Sequence, residues 1–345
     1  MPVAFGLNRF DSRSVDRFVA DVQLAEELGW DHALIPDSQL RRRDTFVLLA
    51  AAARETTRIG LGTLLANPMN RHPHVTASSI ATVDELAPGR TLLAMGVGDT
   101  AVRLSGLRPA RVSELEDATR VIRTLLAGES VDAGAAQPAR LPFARPVPVW
   151  IAAGGPRTLR MAGAVAEGVF LRVGAHETNL RKAIDAIRAG ASDAGRDPAS
   201  VRLGLVLHTV LLDDAERALR IGKSMAAGYY EYSPTLFEAP GIAWDGPPVE
   251  ELKKQVFPDF HHALDLDASG ALVDFLPAEA ARAFSIGGTA QQVADQLSEV
   301  LAFDDFEIVV PHPMPNPPVP EESDGRTYME RIAREVMPAV KQAFA

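Results

Sequence analysis

The sequence predicts an α/β protein, a (β/α)8 TIM barrel with insertions, and three observations lead there. Eight short runs of aliphatic and β-branched residues alternate with longer segments of helical period, the pattern of parallel βα units. Closing eight such strands into a ring satisfies every strand edge, which an open sheet does not. The length, 345 residues, suits one barrel carrying extra loops. A single domain over 1–345 is therefore expected.

The strands are expected at 3–7, 32–36, 59–65, 91–97, 147–153, 168–173, 201–212 and 307–310. Helices are expected between them, at 15–29, 44–56, 74–87, 113–127, 157–167, 178–195, 214–230 and 289–302. In the first helix Val15, Phe18, Val19, Val22, Leu24, Ala25 and Leu28 approximate an apolar stripe, and Gly29 supplies a stop. Ser113 is the expected N-cap of the fourth helix and Thr289 of the eighth.

Two regions break the spacing and read as insertions, 129–146 and 228–285, the second with short helices at 249–255 and 277–283. Tyr229, Tyr230, Tyr232, Phe237 and Trp244 in the second are expected first of all as core. Loops of that size in a barrel usually belong to the active-site face or an oligomer contact. The stretch 311–320 is too rich in proline for a helix, and 328–344 reads as a closing helix.

Composition narrows the function classes. The net charge of −10, from 45 acidic and 35 basic residues, opposes binding to a nucleic-acid backbone. The densest basic cluster, Arg41, Arg42 and Arg43, reads as a solvated loop, with contact to an anionic ligand as its functional alternative. There is no cysteine, so disulfides and thiolate metal sites are excluded and redox chemistry would need a cofactor. No stretch reaches the roughly 18 apolar residues of a membrane span, and the first residues lack a secretory pattern. A soluble cytoplasmic protein is expected, with neither nucleic acid nor membrane as partner.

Three places could carry chemistry. The segment VPVWIAAGGPRTLRMAG, 147–163, runs from a buried strand through Gly154 and Gly155 into a helix with Pro156 at its first position. Free amides of Arg157 and Thr158 and the positive helix end favour an anion there, typically phosphate; a tight turn that needs glycine is the plain alternative. At the fourth strand, Gly96, Gly98 and Asp99 set a carboxylate at the barrel mouth. Asp99 is then a proton donor or acceptor, or a loop cap. The dinucleotide fingerprint is met only formally at Gly96, Gly98 and Ala101, because no helix follows at once.

Strand two ends in Asp37 and Ser38 and strand one in Asn8, so all three face the same opening. Asp37 could orient a polar ring edge or cap its loop. His72 and His74 flank Pro73, and a helix start is the expected role; no metal site is expected. His176 is a weak mouth candidate, His208 is expected to be packed, and His261 and His262 to meet solvent or an interface.

These motifs, in this order, resemble the luciferase-like monooxygenase superfamily, and within it the coenzyme F420-dependent methylenetetrahydromethanopterin reductases and related F420 oxidoreductases. The matching stretches are GLGTLLANPMNRHPHVTASSIATVDELAPGR at 60–90, MGVGD at 95–99, VWIAAGGPRTLRMAGAVAEGV at 149–169 and IGGTAQQVADQL at 286–297. The run from Asn67 to Pro73 is specific to the F420 type. The resemblance implies a TIM barrel, often a homodimer, that uses F420 to exchange hydride with a small-molecule substrate. It also implies that the cofactor phosphate lies near Ala153, Gly154 and Gly155, with Pro156 opening the helix. The ring then lies near Asp37, Ser38, Asn67, Gly96, Gly98 and Asp99, with Asp99 assisting proton transfer and Asp37 and Asn8 as further catalytic candidates.

Relatives carry a small residue and a non-prolyl cis peptide behind the ring, where this chain has Leu64 and Leu65. Ser38 stands where several F420 members have histidine, and Asn8 where the methanopterin reductases have an acid, so a different substrate is expected. Two alternatives stay open: an FMN-dependent monooxygenase of the same superfamily, and a barrel without catalysis that binds a ligand or serves as a structural partner.

Overall fold

The computed structural model describes residues 3–314 and 325–344. Strands β1 (Ala4–Leu7), β2 (His32–Ile35), β3 (Gly60–Ala66), β4 (Thr91–Met95), β7 (Val149–Ala153), β8 (Gly168–Leu171), β9 (Arg202–Leu211) and β11 (Phe306–Pro313) meet the eight expected runs, with ends moved by a few residues. β1 pairs in parallel with both β11 and β2, and parallel pairing continues through β2–β3, β3–β4 and β4–β7. With β10 (Ser285–Gly288) at one end, the strand order is β10-β9-β11-β1-β2-β3-β4-β7-β8, and β8 also pairs with β9, so eight strands close into the parallel barrel.

Sequence reading missed three strands. β10 (Ser285–Gly288) pairs in parallel with the last four residues of β9, from Ser285 with His208 to Gly288 with Leu211. With two glycines and one β-branched residue it has too little strand character to stand out. β5 (Ser130–Val131) and β6 (Ala139–Arg140) form a small antiparallel hairpin inside the first insertion, two residues a side. The helix expected to be capped by Ser113 begins two residues earlier. α5 (Val112–Leu126) has Arg111 as its N-cap residue, and the Glu114 carboxylate accepts the Arg111 amide at 2.7 Å.

The other helices are α1 (Val15–Glu27), α2 (Thr45–Glu55), α3 (Pro73–Leu86), α4 (Thr100–Leu104), α6 (Pro156–Val165), α7 (Glu177–Asp193), α8 (Ala215–Tyr232), α9 (Val249–Leu252), α10 (Leu266–Leu272), α11 (Ala278–Phe284), α12 (Ala290–Leu301), α13 (Gly325–Arg331) and α14 (Met337–Ala343). Thr289 caps α12 as expected. The closing helix is interrupted by a wider π turn, Ile332–Val336. Of the proline-rich stretch, 311–313 finish β11, 314 follows it, and 315–320 lie outside the described residues. Among the described residues no helix is long and apolar enough to cross a membrane.

The chain divides into two compact units. One, Gly6–Phe170 with Ala186–Leu203, holds every residue singled out for the barrel mouth from Asn8 to Pro156. Polar contacts hold the feet of its strands. Glu26 Oε1 on α1 accepts the amides of Thr57, Arg58 and Ile59 at 2.9, 2.6 and 2.8 Å, which fixes the turn leading into β3. Burial alone would raise the Glu26 pKa; the three amides outweigh it and hold the group below its ordinary value. Buried Trp150 packs on Phe170 at 4.7 Å, with Arg202 over its other ring surroundings at 5.2 Å.

The other unit comprises Met1–Phe5, Leu171–Asp185 and Gly204–Ala345, and contains the second insertion. Its aromatic residues are core, as expected: Tyr229 and Phe237 stack on Phe284 at 5.0 and 4.8 Å, and Tyr230 stacks on Trp244 at 4.2 Å. Tyr232 remains exposed. His208 and His261 are buried in the same core with rings 4.6 Å apart, and His312 lies 5.3 Å from His208. His261 therefore does not meet solvent. His262 does so in part and pairs with Asp259 at 2.8 Å.

Burial pushes His208 well below its ordinary pKa and His261 down to about 3, with the neighbouring imidazoles adding to the effect. Folded chains thus hold these rings neutral, while unfolded chains protonate them below about pH 6.5. Stability is full above that pH and falls as the pH drops, by about 1.4 kcal/mol per pH unit for each ring at most. Denaturant unfolding at pH 7.5, 6.5 and 5.5 should show this fall, and His261→Phe should flatten it.

Candidate active site

Strand β3 carries the first irregularity. Its pairing with β4 slips between Thr63 and Ala66, and the Leu64–Leu65 peptide inside the slip is cis. The sequence left open whether this chain carries the non-prolyl cis bond of its relatives; it is present, although both residues are large. The Thr63 hydroxyl fills the gap in the ladder, donating to the Ala94 carbonyl at 2.7 Å and accepting the Ala94 amide at 3.1 Å. Leu64 is buried, and the Leu65 carbonyl accepts the Asp37 amide at 3.2 Å, tying the ends of β2 and β3 together.

The loop after β3 is built around Asn67 and Arg71. Asn67 is 1% exposed, and its Oδ1 accepts the amides of Met69 and Asn70 at 3.1 and 2.9 Å, an Asx turn. Pro73 then starts α3 behind His72, whose ring accepts the His74 amide at 3.4 Å. The two histidines open a helix, as expected.

Arg71 reaches back to the end of β2, where its Nε donates to Asp37 Oδ2 at 3.1 Å and its guanidinium also bonds Asp44. The Phe46 ring lies 5.0 Å under that guanidinium. Asp44 at the same time caps α2, accepting the amides of Phe46 and Val47. Gln39 donates to the remaining Asp37 oxygen at 2.8 Å. Asp37 is thus not an open carboxylate: both its oxygens are engaged and its side chain is 1% exposed.

Burial dominates the electrostatics of Asp37 and raises its pKa, with the Arg71 charge pulling the other way. At Asp44, less buried, the Arg71 hydrogen bond and the two capping amides outweigh burial and hold the group low. Burial opposes the charge on Arg71, but its two carboxylates prevail and raise its pKa.

At the end of β4, Gly96 is closed in by Leu65: a Cβ there would lie 2.7 Å from a Leu65 methyl. Gly98 has φ of +74°, and a Cβ would meet Val102 at 2.5 Å and Asn67 at 3.1 Å. Only glycine fits this turn without strain. Asp99 follows, at the N-terminus of α4 but with no side-chain cap bond; its carboxylate pairs instead with Arg103, which is 66% exposed. The loop-cap alternative for Asp99 does not hold. Asn8 is buried at the end of β1, and Ser38, half-buried, gives its carbonyl to the amides of Arg41 and Arg42. In that basic cluster Arg41 and Arg43 are exposed, while Arg42 is half-buried, its pKa pushed down to about 10 by burial and by Arg41.

The third element is the turn from β7 to α6. Ala153 is buried, Gly154 and Gly155 are half-buried, and Pro156 occupies the first turn of α6. Gly155 is the N-cap residue, offers no side chain to the helix, and has nothing within 4 Å of the place a Cβ would take. A ten-residue helix thus begins without a side-chain cap on its first amides, a geometry suited to a phosphate.

Sequence reasoning missed Gln39, Asn70 and Arg71, which carry the polar wiring of the site. The run from Asn67 to Pro73 contained the signal for the last two. Among the described residues no group of three or more histidine, aspartate or glutamate side chains is placed to hold a metal.

Comparison with known proteins gives the following. Residues 5–302 match the model of the luciferase-like monooxygenase family. The chain is 30% identical over 323 residues to 5,10-methylenetetrahydromethanopterin reductase from Methanolobus tindarius, covering 90% of this chain and 95% of the relative. It is 31% identical over 225 residues to an F420-dependent glucose-6-phosphate dehydrogenase from Beutenbergia cavernae, covering 59% and 67%. The structure of coenzyme F420-dependent tetrahydromethanopterin reductase from Methanopyrus kandleri superposes with a TM-score of 0.78 at 25% identity, over 98% of this chain and 99% of that one.

Replacing Arg71 by methionine leaves Asp37 buried beside Gln39 with no counter-ion. Because the folded Asp37 pKa is raised, the folded carboxyl holds its proton at pH values where the unfolded one has lost it, and stability is lost as pH rises through the folded value. Arg71→Met should therefore cost about 3 to 5 kcal/mol at pH 7 and clearly less at pH 4.5. Urea unfolding of both proteins at the two pH values checks this.

Proposed function

Because this chain belongs to the luciferase-like monooxygenase family, we propose that it is an F420-dependent oxidoreductase that moves hydride between the deazaflavin and a small-molecule substrate. The observation that carries the reading is near full-length similarity to methylenetetrahydromethanopterin reductases, joined to a mouth whose residues suit that cofactor. Asn67 Nδ2 is a buried donor without a protein partner, and Gly155 presents an uncapped helix end. The residues present fit a group with a polar ring at one end and a phosphate at the other.

When bound, F420 supplies the hydride-carrying carbon of the reaction. The amides at the start of α6 hold its phosphate, with Gly154 and Gly155 letting it approach the backbone. Gly98 leaves the end of β4 free of side chain, and the Leu64–Leu65 segment, fixed through Asp37 and Thr63, backs the ring. Asp99 holds or delivers the proton that accompanies hydride transfer at the substrate. Its partner Arg103 is mostly in water, so their attachment is weak and Asp99 can exchange it for substrate. Asp37, wired to Arg71 and Gln39, acts as a fixed anchor of the loop and not as an acid or base. Ser38 and Asn8, in place of the histidine and the acid of relatives, set a substrate other than methylenetetrahydromethanopterin.

A deazaflavin fluorescence titration tests the reading: saturable quenching is expected with F420, and no change at any F420 concentration excludes it, leaving FMN as the alternative ligand to titrate. Asp99→Asn should bind F420 within about threefold of wild type while kcat falls about 100-fold. Full turnover by that variant would remove Asp99 from the chemistry.

The homodimer is part of the same proposal. Leu40, Val47, Val75, Leu104 and Leu107 are all exposed, and Val47 and Val75 sit in the first turns of the neighbouring helices α2 and α3. Such apolar side chains suit a second copy of the chain. Light scattering should give a dimer mass for wild type and a monomer mass for the double variant Val47→Asp, Val75→Asp.

A further inference from the structure

In the unit that holds the second insertion, the loop 257–264 has no helix or strand of its own and is folded inward like a plug. Its ends are tied together, the Leu264 amide donating to the Phe257 carbonyl at 3.2 Å. Both end side chains face solvent, Phe257 at 73% and Leu264 at 63% exposed, whereas Phe260 and His261 between them are buried. The plug is seated on α8. There the Ser224 hydroxyl donates to the Phe260 carbonyl at 3.0 Å, and His261 Nε2 lies 3.0 Å from the Met225 carbonyl. A carbonyl only accepts, so Nε2 carries the hydrogen in that bond. The His261 ring rests directly on the backbone of Gly228, where a Cβ would lie 2.2 Å from it.

The same ring closes the loop over the C-terminal half of β9. It lies 4.6 Å from His208 on that strand and 4.9 and 5.6 Å from Tyr229 and Tyr232 on α8, with His312 of β11 behind His208. Burial is the largest influence on its charge and favours the neutral form; Arg172 and His262 act in the same direction and Asp259 against them. Asp259 and His262 bond each other within the loop, so that pair moves with it. Glu231 on α8, paired with Lys253, accepts the Phe260 amide. Burial raises the Glu231 pKa, so its protonation favours the docked loop and opposes release in acid.

We infer that residues 257–264 are a latch over the C-terminal half of β9, docked while the His261 imidazole is uncharged and released as a unit by acid. This goes beyond the proposed function and does not depend on it. Opening breaks only the few contacts just named, so it requires far less than unfolding the barrel. Released, the ring returns to its ordinary pKa of 6.5, and each pH unit below that value favours the released form by up to about tenfold.

Amide hydrogen exchange, corrected for the intrinsic effect of pH, tests this on the bonded Phe260 and Leu264 amides. In wild type these should exchange at least 100-fold faster than the amides of β4, because a local opening exposes them. Between pH 7.5 and 5.5 their opening should rise about 10-fold. His261→Phe keeps a ring against Gly228 but takes up no proton, and its rise should stay below about twofold. Glu231 is present in both proteins, so the comparison isolates His261, and circular dichroism checks that the variant folds. Three outcomes overturn the inference: wild-type loop amides as protected as those of β4, no rise on acidification, or the same rise in folded His261→Phe. The first two are read on wild type and need no variant.

Discussion

Much of the mouth depends on one guanidinium. Arg71 joins a carboxylate at the end of β2 to the carboxylate that caps α2, while its own loop leads from β3 into α3. Two successive βα units are thereby joined at the ends of their strands by a single side chain. The ion pairs are unequal: Asp44 gains from Arg71, whereas Asp37 is so deeply buried that burial dominates and it depends on its partners. Removing one partner of such a pair leaves the other charge buried and uncompensated, which is costly.

From this clamp the polar order propagates outward. Asp37 orients Gln39, Gln39 orients Asn70, and Asn67 is oriented separately by the Asx turn. The slip between β3 and β4 and the glycine at 98 bring these amides against the segment that presents Asp99. The α6 turn supplies a different kind of recognition, backbone amides and a helix end, which suits charge and tolerates variation in the rest of the ligand.

Fold and site were not equally legible in the sequence. Parallel βα periodicity is a strong local signal, so eight barrel strands and the Pro156 helix start could be read directly. β10 was lost because Ser285–Gly288 owes its strand conformation to pairing with β9 rather than to its own residues. The turn from β7 into α6 could be read because glycine and proline act locally. The wiring at Asp37 could not: it joins positions 37, 39, 44, 70 and 71, and nothing in a linear chain says which carboxylate an arginine will meet. His261 shows the same limit. Its place in the buried core of the second insertion follows from tertiary contact with Tyr229 and His208.

The central claim is that the Arg71 clamp holds the barrel mouth in the order that the proposed cofactor requires. The F420 dissociation constant of Arg71→Met, measured under conditions where circular dichroism shows the variant folded, tests it most directly. The account predicts binding weakened at least 10-fold, because Asp37, Gln39 and Asn70 lose their fixed order. An unchanged dissociation constant would contradict it.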